Sequence, residues 1–275
     1  MGQQHVLCIS DITCLGRCSL SSAIPVMSAL GITAHILPSF FLTALPNIVR
    51  NSPREELGIL QQSITTLMGT DINFDAISVG YLLNESQINA CLNAFSHWES
   101  TIKIVDPVLG DNGKIYSHSD ENIVKSLQRL CSKADIITPN LTESSALLGL
   151  DLSSQIADET ALKDRVTALA SLCPQSVITG VPLANGDIYC AGFCKENGYF
   201  KVKCNYLPVY FPGTGDLFTA VLTALMVKGE PLKTAVEKSV RFVEITARET
   251  QNADCNPEEG LWIEKTLPLL FSGEF

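Results

Sequence analysis

Between Tyr210 and Ala220 the chain reads YFPGTGDLFTA, with Gly213, Thr214 and Gly215 immediately ahead of Asp216 and an apolar run. Glycines permit unusual backbone angles and close approach of a ligand. If a helix begins here, its first N–H groups lack partners and its dipole favours negative charge. Such an end suits a phosphoryl group in transfer, whose charge must be stabilised without covalent help. Asp216 would then accept the proton of an attacking hydroxyl. A carboxylate at this place also serves as an ordinary helix cap, and the stretch alone favours neither use. No Gly-Lys-Ser/Thr follows, so it is not a Walker loop.

Two further stretches carry oxygen ligands. DPVLGDNGKIY places Asp106 and Asp111 five residues apart, the second beside a Gly-Asn turn. Hard cations such as magnesium take oxygen donors, often through water; taken alone, the stretch reads better as a turn after a strand. TPNLTES puts Asn140 and Glu143 at the start of a helix. There Asn140 or Thr142 would cap, and Glu143 would complement the dipole or orient metal-bound water.

These residues need a frame. Short apolar runs alternate with helical patterns: strands at HVLCIS, TAHILP, DAISVGYL, TIKIVDPV, DIITPN and QSVITG, and helices at CSLSSAIPVMSALG, REELGILQQSITTLM, ESQINACLNAFSHW, ENIVKSLQRLCSKA and ADETALKDRVTALASLC. This alternation predicts an α/β fold in three layers, a mostly parallel sheet with helices on both faces. The segment from Gly186 to Val209 reads as a hairpin with an Asn-Gly turn, placed to edge the sheet or support a ligand site. Two long helices follow, GTGDLFTAVLTALMVKG and LKTAVEKSVRFVEITARET. No linker or repeat divides the 275 residues, so one domain spanning 1–275 is expected. Ligands of such sheets sit at the carboxyl ends of the strands. Ser10-Asp11, Gly80-Tyr81, Asp106-Pro107, Thr138-Pro139-Asn140, Thr179-Gly180 and the Gly213–Asp216 run all fall at that edge. One small or acidic residue there is ordinary turn chemistry; six in succession make a site.

Composition bounds the partners. A formal charge of −10 argues against nucleic acid as the main partner, but not against an anionic small ligand held by dipoles and metal. No apolar run approaches the roughly 18 residues of a membrane span, and the opening MGQQHVLCIS lacks the basic and apolar regions of a secretory signal. A cytoplasmic protein without a membrane partner is expected. The ten cysteines are scattered without C-x-x-C spacing, which suits reduced, buried thiols better than zinc ligands.

As an ordered set, VGYL, DPVLGDNGKIY, IITPNLTES and GTGDLFTAVL resemble the vitamin kinases of the ribokinase superfamily, and among them the pyridoxal kinases. The resemblance covers nearly the whole chain. It implies a ribokinase-like fold, ATP and magnesium, a monovalent cation (K+ or Na+) and a homodimer. At matching positions it implies Asp216 as catalytic base, Gly213, Thr214 and Gly215 as anion hole for the γ-phosphate, and Asp106, Asp111 and Glu143 at the metal. Thr138, Asn140 and Thr179 would line the nucleotide with Tyr116 near the phosphates, while Ser10, Thr43 and Tyr81 would meet the vitamin. Two segments depart from the pattern. Where many pyridoxal kinases have Gly-x-x-Gly-Asn, TCLGRCSLSSA carries Ser19 and Leu20, and PSFFLTALP is more apolar than usual, with Thr43 its one donor. Arg17 would partly compensate or stand as a surface charge. Both departures fall on the acceptor side. A hydroxymethylpyrimidine kinase of thiamine synthesis is the alternative enzyme, and a non-catalytic vitamin- or nucleotide-binding protein the alternative of another class.

Overall fold

Strand β1 (Gln4–Leu15) buries Val6 and Cys8 in one apolar core and Leu7 and Ile9 in another. Successive side chains of a strand point to opposite faces, so this is the signature of a sheet covered on both sides. The computed structural model describes residues 2–116, 121–205, 209–253 and 255–275. In chain order the elements are β1, α1 (Leu20–Ala29), β2 (Ile32–Ala44), β3 (Arg54–Glu56), α2 (Leu60–Met68), β4 (Ala76–Val79), α3 (Glu85–His97) and β5 (Ile102–Val105). A small hairpin of β6 (Gly110–Asp111) and β7 (Lys114–Ile115) precedes α4 (Glu121–Cys131), β8 (Ile136–Ile137), α5 (Leu141–Leu147) and α6 (Glu159–Leu169). The chain ends with β9 (Gln175–Pro182), β10 (Ile188–Cys194), β11 (Gly198–Cys204), α7 (Thr214–Val227), α8 (Leu232–Asn252), a 3-10 turn and α9 (Ile263–Ser272).

The large sheet runs β11-β10-β9-β8-β5-β4-β1-β2-β3. Its central pairs are parallel, and antiparallel strands close both edges. Residues of α1, α7, α8 and α9 fill one core, and those of α2 to α6 fill the other. The three-layer α/β/α expectation is met. Among the described residues no helix is long and apolar enough to cross a membrane. All ten cysteines are free thiols, and seven of them are buried.

The segment from Arg54 to Met68 is not one helix. Gly58, at φ 65°, breaks it, leaving an exposed edge strand ahead of α2. β1 and β2 run several residues past their expected ends and pair over that extra length, from Ile12↔Phe41 to Leu15↔Ala44. The second hairpin edges the sheet, with β11 outermost. Its loop is three residues long, with Cys194 opposite Gly198 and the glycine at φ 64°; this is a turn followed by a glycine in the left-handed region, not a two-residue Asn-Gly loop. The tight Asn-Gly turn lies instead at Asn112-Gly113, whose φ values are 52° and 73°.

Candidate active site

Helix α7 starts from Gly213, which sits at φ 82°. A Cβ there would collide with the carbonyl oxygen of Arg17, so both the backbone angle and the space require glycine. Asp216 lies three residues in, and its hydrogen-bond partners among the described residues, Cys18 and Ser19, lie outside α7. Its carboxylate accepts from the N–H of Ser19 and from the Cys18 thiol, and lies 3.4 Å from the Ser19 hydroxyl. The acid therefore belongs to a contact between α7 and the start of α1, and the ordinary-cap reading falls away. Gly215 is exposed, and a Cβ on it would meet nothing within 4 Å. The first turn of α7 is thus packed at Gly213 and open beside Gly215.

Beneath that turn, Ser10, Ser19, Ser78, Gly80, Asp106, Asp216 and Thr219 line a cleft. It lies at the carboxyl ends of β4 and β5 and beside the middle of β1, on the edge where a parallel sheet presents its ligands. Ser10 Oγ accepts from the Tyr81 N–H at 3.0 Å, and a Cβ on Gly80 would lie 2.5 Å from that oxygen. The Tyr81 ring meets Phe40 edge-on at 5.2 Å and lies 6.1 Å from the half-exposed Tyr116 ring. Ser10, Tyr81 and Tyr116 are thus brought to one end of the sheet. Thr43 is not brought into the cleft: the alternation of β2 turns Leu42 and Ala44 inward and leaves Thr43 exposed. Arg17 is held by Glu264 at 2.9 Å, which makes it a surface ion pair.

On the other side of the cleft, Thr219 donates to Asp106 at 3.1 Å and lies 3.1 Å from the Thr138 hydroxyl. Asn140 and Glu143 form a capping box on α5: the Glu143 N–H donates to Asn140 Oδ1 at 2.9 Å, and the Asn140 N–H donates to Glu143 Oε2 at 2.8 Å. Glu143 Oε1 also accepts from Leu109 N–H at 3.0 Å, and Asn140 Nδ2 donates to the Gly110 carbonyl at 2.8 Å. The β6–β7 hairpin is thereby tied to α5. Thr179 joins the group through its N–H, which donates to the Pro139 carbonyl at 3.0 Å, and through a bridge to Asn140. Asn140 and Thr179 thus stand side by side, with Thr138 two residues before Asn140.

Four carboxyls share this region, and each titrates above its ordinary range. Burial raises Glu143 most, the Asp106 charge adds to it, and three backbone donors oppose. Burial and then the Asp216 charge raise Asp106, against the Thr219 bond. Burial and then Asp216 push Asp11 up to about 6. Asp216 itself is raised by burial. Such a concentration of carboxyls suits a site that receives cationic groups or a proton.

The acids expected at a metal do not form one ligand set: among the described residues no three His, Cys, Asp or Glu side chains group around a common point. Glu143 is committed to its cap, and Asp111 accepts from Asn112 within the hairpin turn. Buried Asp106 and Glu143, the charge of the first raising the second, fit a hydrated magnesium ion arriving with a nucleotide better than a dedicated cage. Cys18 and Thr219 carried no role from sequence, and Asp11 appeared there only beside Ser10 at the strand edge. Thr219 was findable, one helical turn beyond Asp216 on the same face. Ser19 was visible only as a departure, and its meeting with Asp216 spans 197 residues.

The sequence model described as phosphomethylpyrimidine kinase matches residues 18–260. A Bacteroides thetaiotaomicron protein provisionally assigned as a phosphomethylpyrimidine kinase, in a crystal form with pyridoxal, superposes with a TM-score of 0.91. It is 30% identical, over 98% of this chain and 96% of that one. Pyridoxal kinase from Lactobacillus plantarum also gives 0.91, at 25% identity over 99% and 98% of the two chains. A Schizosaccharomyces pombe protein provisionally assigned as a pyridoxal kinase is 27% identical over 90% of this chain and 85% of its own.

Proposed function

Since this chain belongs to the phosphomethylpyrimidine kinase family and is a vitamin kinase, we propose that it phosphorylates the 5′-hydroxymethyl group of a B6 vitamer with ATP. The observation that carries this is Asp216: a carboxylate at a helix start that is held from outside its helix, faces the cleft and stands behind a glycine turn open beside Gly215. Pyridoxal in the Bacteroides crystal supports the vitamer.

The acceptor oxygen forms a bond to the γ-phosphorus as the bond from that phosphorus to the bridging oxygen breaks. ADP departs with the electron pair, and the alcohol proton passes to Asp216. A loose transition state needs little early deprotonation, so Asp216 chiefly orients the hydroxyl and takes its proton late. The N–H groups of Gly213, Thr214 and Gly215 receive the equatorial oxygens. Ser10 and Tyr81 address the acceptor ring. Thr138, Asn140, Thr179 and Tyr116 border the nucleotide. Asp106 and Glu143, with Asp111 at the rim, would hold magnesium through water, and the ion when bound neutralises phosphate charge. The frame is one kinase domain. The resemblance to pyridoxal kinases further supports a homodimer and a monovalent-ion requirement, read by sedimentation and by rates in K+ against Na+.

The family description itself favours a second reading, hydroxymethylpyrimidine as acceptor. An ADP-release screen over pyridoxal, pyridoxine, pyridoxamine and hydroxymethylpyrimidine decides. We expect a B6 vitamer to exceed the pyrimidine at least tenfold in kcat/KM; the reverse order selects the second reading, and ADP release independent of any acceptor rejects both.

A further inference from the structure

Ser19 is one of three non-glycine residues at positive φ among those described, and its φ 50°, ψ −126° is a conformation that glycine adopts without strain and serine does not. It is the first capping position of α1, yet its side chain makes no capping bond. The hydroxyl turns instead toward two acids. It donates to Asp11 Oδ1 in the shorter contact and lies 3.4 Å from Asp216 Oδ1. The Ser19 N–H meanwhile donates to Asp216. Asp11 is 4% exposed and also accepts from Thr13 at 3.2 Å and Ser10 at 3.4 Å.

A hydroxyl carries one proton and can serve one carboxylate at a time. The shorter contact assigns it to Asp11. Asp216 then faces the hydroxyl's lone pairs, keeps its backbone and thiol donors, and has acceptor capacity left for an incoming alcohol. Were Asp11 absent, the Ser19 hydroxyl would turn to Asp216 and compete with that alcohol.

We propose that Ser19 and Asp11 are positioning residues for Asp216: Asp11 draws off the single Ser19 proton, and the strained Ser19 backbone holds Asp216 with a lone pair free for the acceptor. This rests on the phosphotransfer reading of the cleft. The groups facing Asp11 are Ser10 and Thr13 on β1, Cys18 and Ser19 before α1, Asp216 on α7, and Tyr81 after β4 with Arg54 beyond it.

The test is a double-mutant cycle with Ser19→Gly and Asp11→Ala, with Asp11→Asn as the conservative variant. Glycine suits the backbone angle, so Ser19→Gly should unfold at a higher urea concentration, and loss of fold does not confound it. We expect Asp11→Ala to lose at least tenfold in kcat, with the KM for ATP within threefold of wild type, and Ser19→Gly, which removes the competing hydroxyl and keeps the N–H donor, to lose less than Asp11→Ala. The double variant should match Ser19→Gly within threefold, because without the Ser19 hydroxyl Asp11 has no proton to draw off. Asp11→Asn, which can still accept through its amide oxygen, should recover part of the loss. A loss in Ser19→Gly as large as that in Asp11→Ala, or losses that multiply in the double variant, would overturn the proposal. A 13C-carboxyl titration by NMR reads the link without turnover: Ser19→Gly should move the Asp11 titration to higher pH, and no movement overturns the link. If the wild type transfers phosphate to none of the vitamins, the kinase reading falls, and this titration alone decides the Ser19–Asp11 contact.

Discussion

The two sides of the cleft are built differently. On the nucleotide side, Asn140 and Glu143 satisfy each other's backbone groups, and Glu143 reaches on to the hairpin. Those contacts are local or lie between neighbouring strand ends, and local spacing specifies them. On the acceptor side, Ser19 sits in a strained conformation, shared between acids from β1 and α7. That arrangement depends on two distant segments meeting. Under the proposed phosphotransfer the two sides would divide the work: the rigid side would set where the phosphorus is, and the strained side how the alcohol is aligned.

The largest test separates chemistry from binding. Asp216→Asn keeps the shape and removes the base. It should lower kcat on the order of 10²–10⁴-fold, while nucleotide affinity by calorimetry stays within a few-fold. An equal loss of nucleotide affinity would mean that the acid serves the phosphate side, and the division between the two sides would fail.

The glycine pair sharpens this. Gly213→Ala forces a side chain into a left-handed position and against the Arg17 carbonyl, so urea unfolding should show a loss of about 1–3 kcal/mol or more, with activity falling alongside. Gly215→Ala meets open space in the first turn of α7 and should gain no more than about 1 kcal/mol. Its kcat should nonetheless fall, because the new methyl stands where the phosphate would lie. Stability and activity moving in opposite directions at Gly215 would identify the open turn as an anion hole.

The third test uses pH. Folding raises Asp11 from an ordinary 3.8 to about 6, chiefly by burial and then by Asp216. A carboxyl with a raised folded value binds its proton more tightly in the folded state. Its contribution therefore favours folding below the unfolded value and is lost as pH rises from about 4 to about 6. Two units correspond to on the order of 3 kcal/mol. Urea midpoints measured across that window should fall less steeply with rising pH in Asp11→Asn than in wild type. Parallel slopes would show that Asp11 is not held as the structure places it.

Much of this was legible in sequence, for physical reasons that also mark the limit. Alternating apolar runs specify the parallel sheet, because a strand buried on both faces must be apolar throughout. Asn140 and Glu143 were readable as a helix start because a capping box is local. Gly213 to Asp216 could be seen as a helix mouth, but the cap and base readings of Asp216 differ only in what its side chain meets, and that is Ser19. The lengthening of β1 and β2 past their expected ends was hidden too, since the exposed Leu15 and Phe41 break the buried pattern. The Arg54–Met68 segment misled because Glu55, Glu56 and Leu57 suit a helix, while Gly58 at positive φ ends one.

The smallest expected effect bears on where the acceptor side stops. Thr43 was the one donor expected from the second strand's exit, and it is exposed, its N–H donating to the Pro53 carbonyl at 3.1 Å as β2 runs beside the following loop. Thr43→Ala leaves that backbone bond in place and removes a hydroxyl that faces water. An exposed substitution of this kind changes stability by no more than about 0.5 kcal/mol, and kcat/KM for the vitamin should stay within twofold. A tenfold rise in KM for the vitamin, with ATP unaffected, would show that β2 swings its outer face onto the bound ring. The acceptor side would then extend from Ser10 and Tyr81 across to β2, and its form without ligand would be an open one.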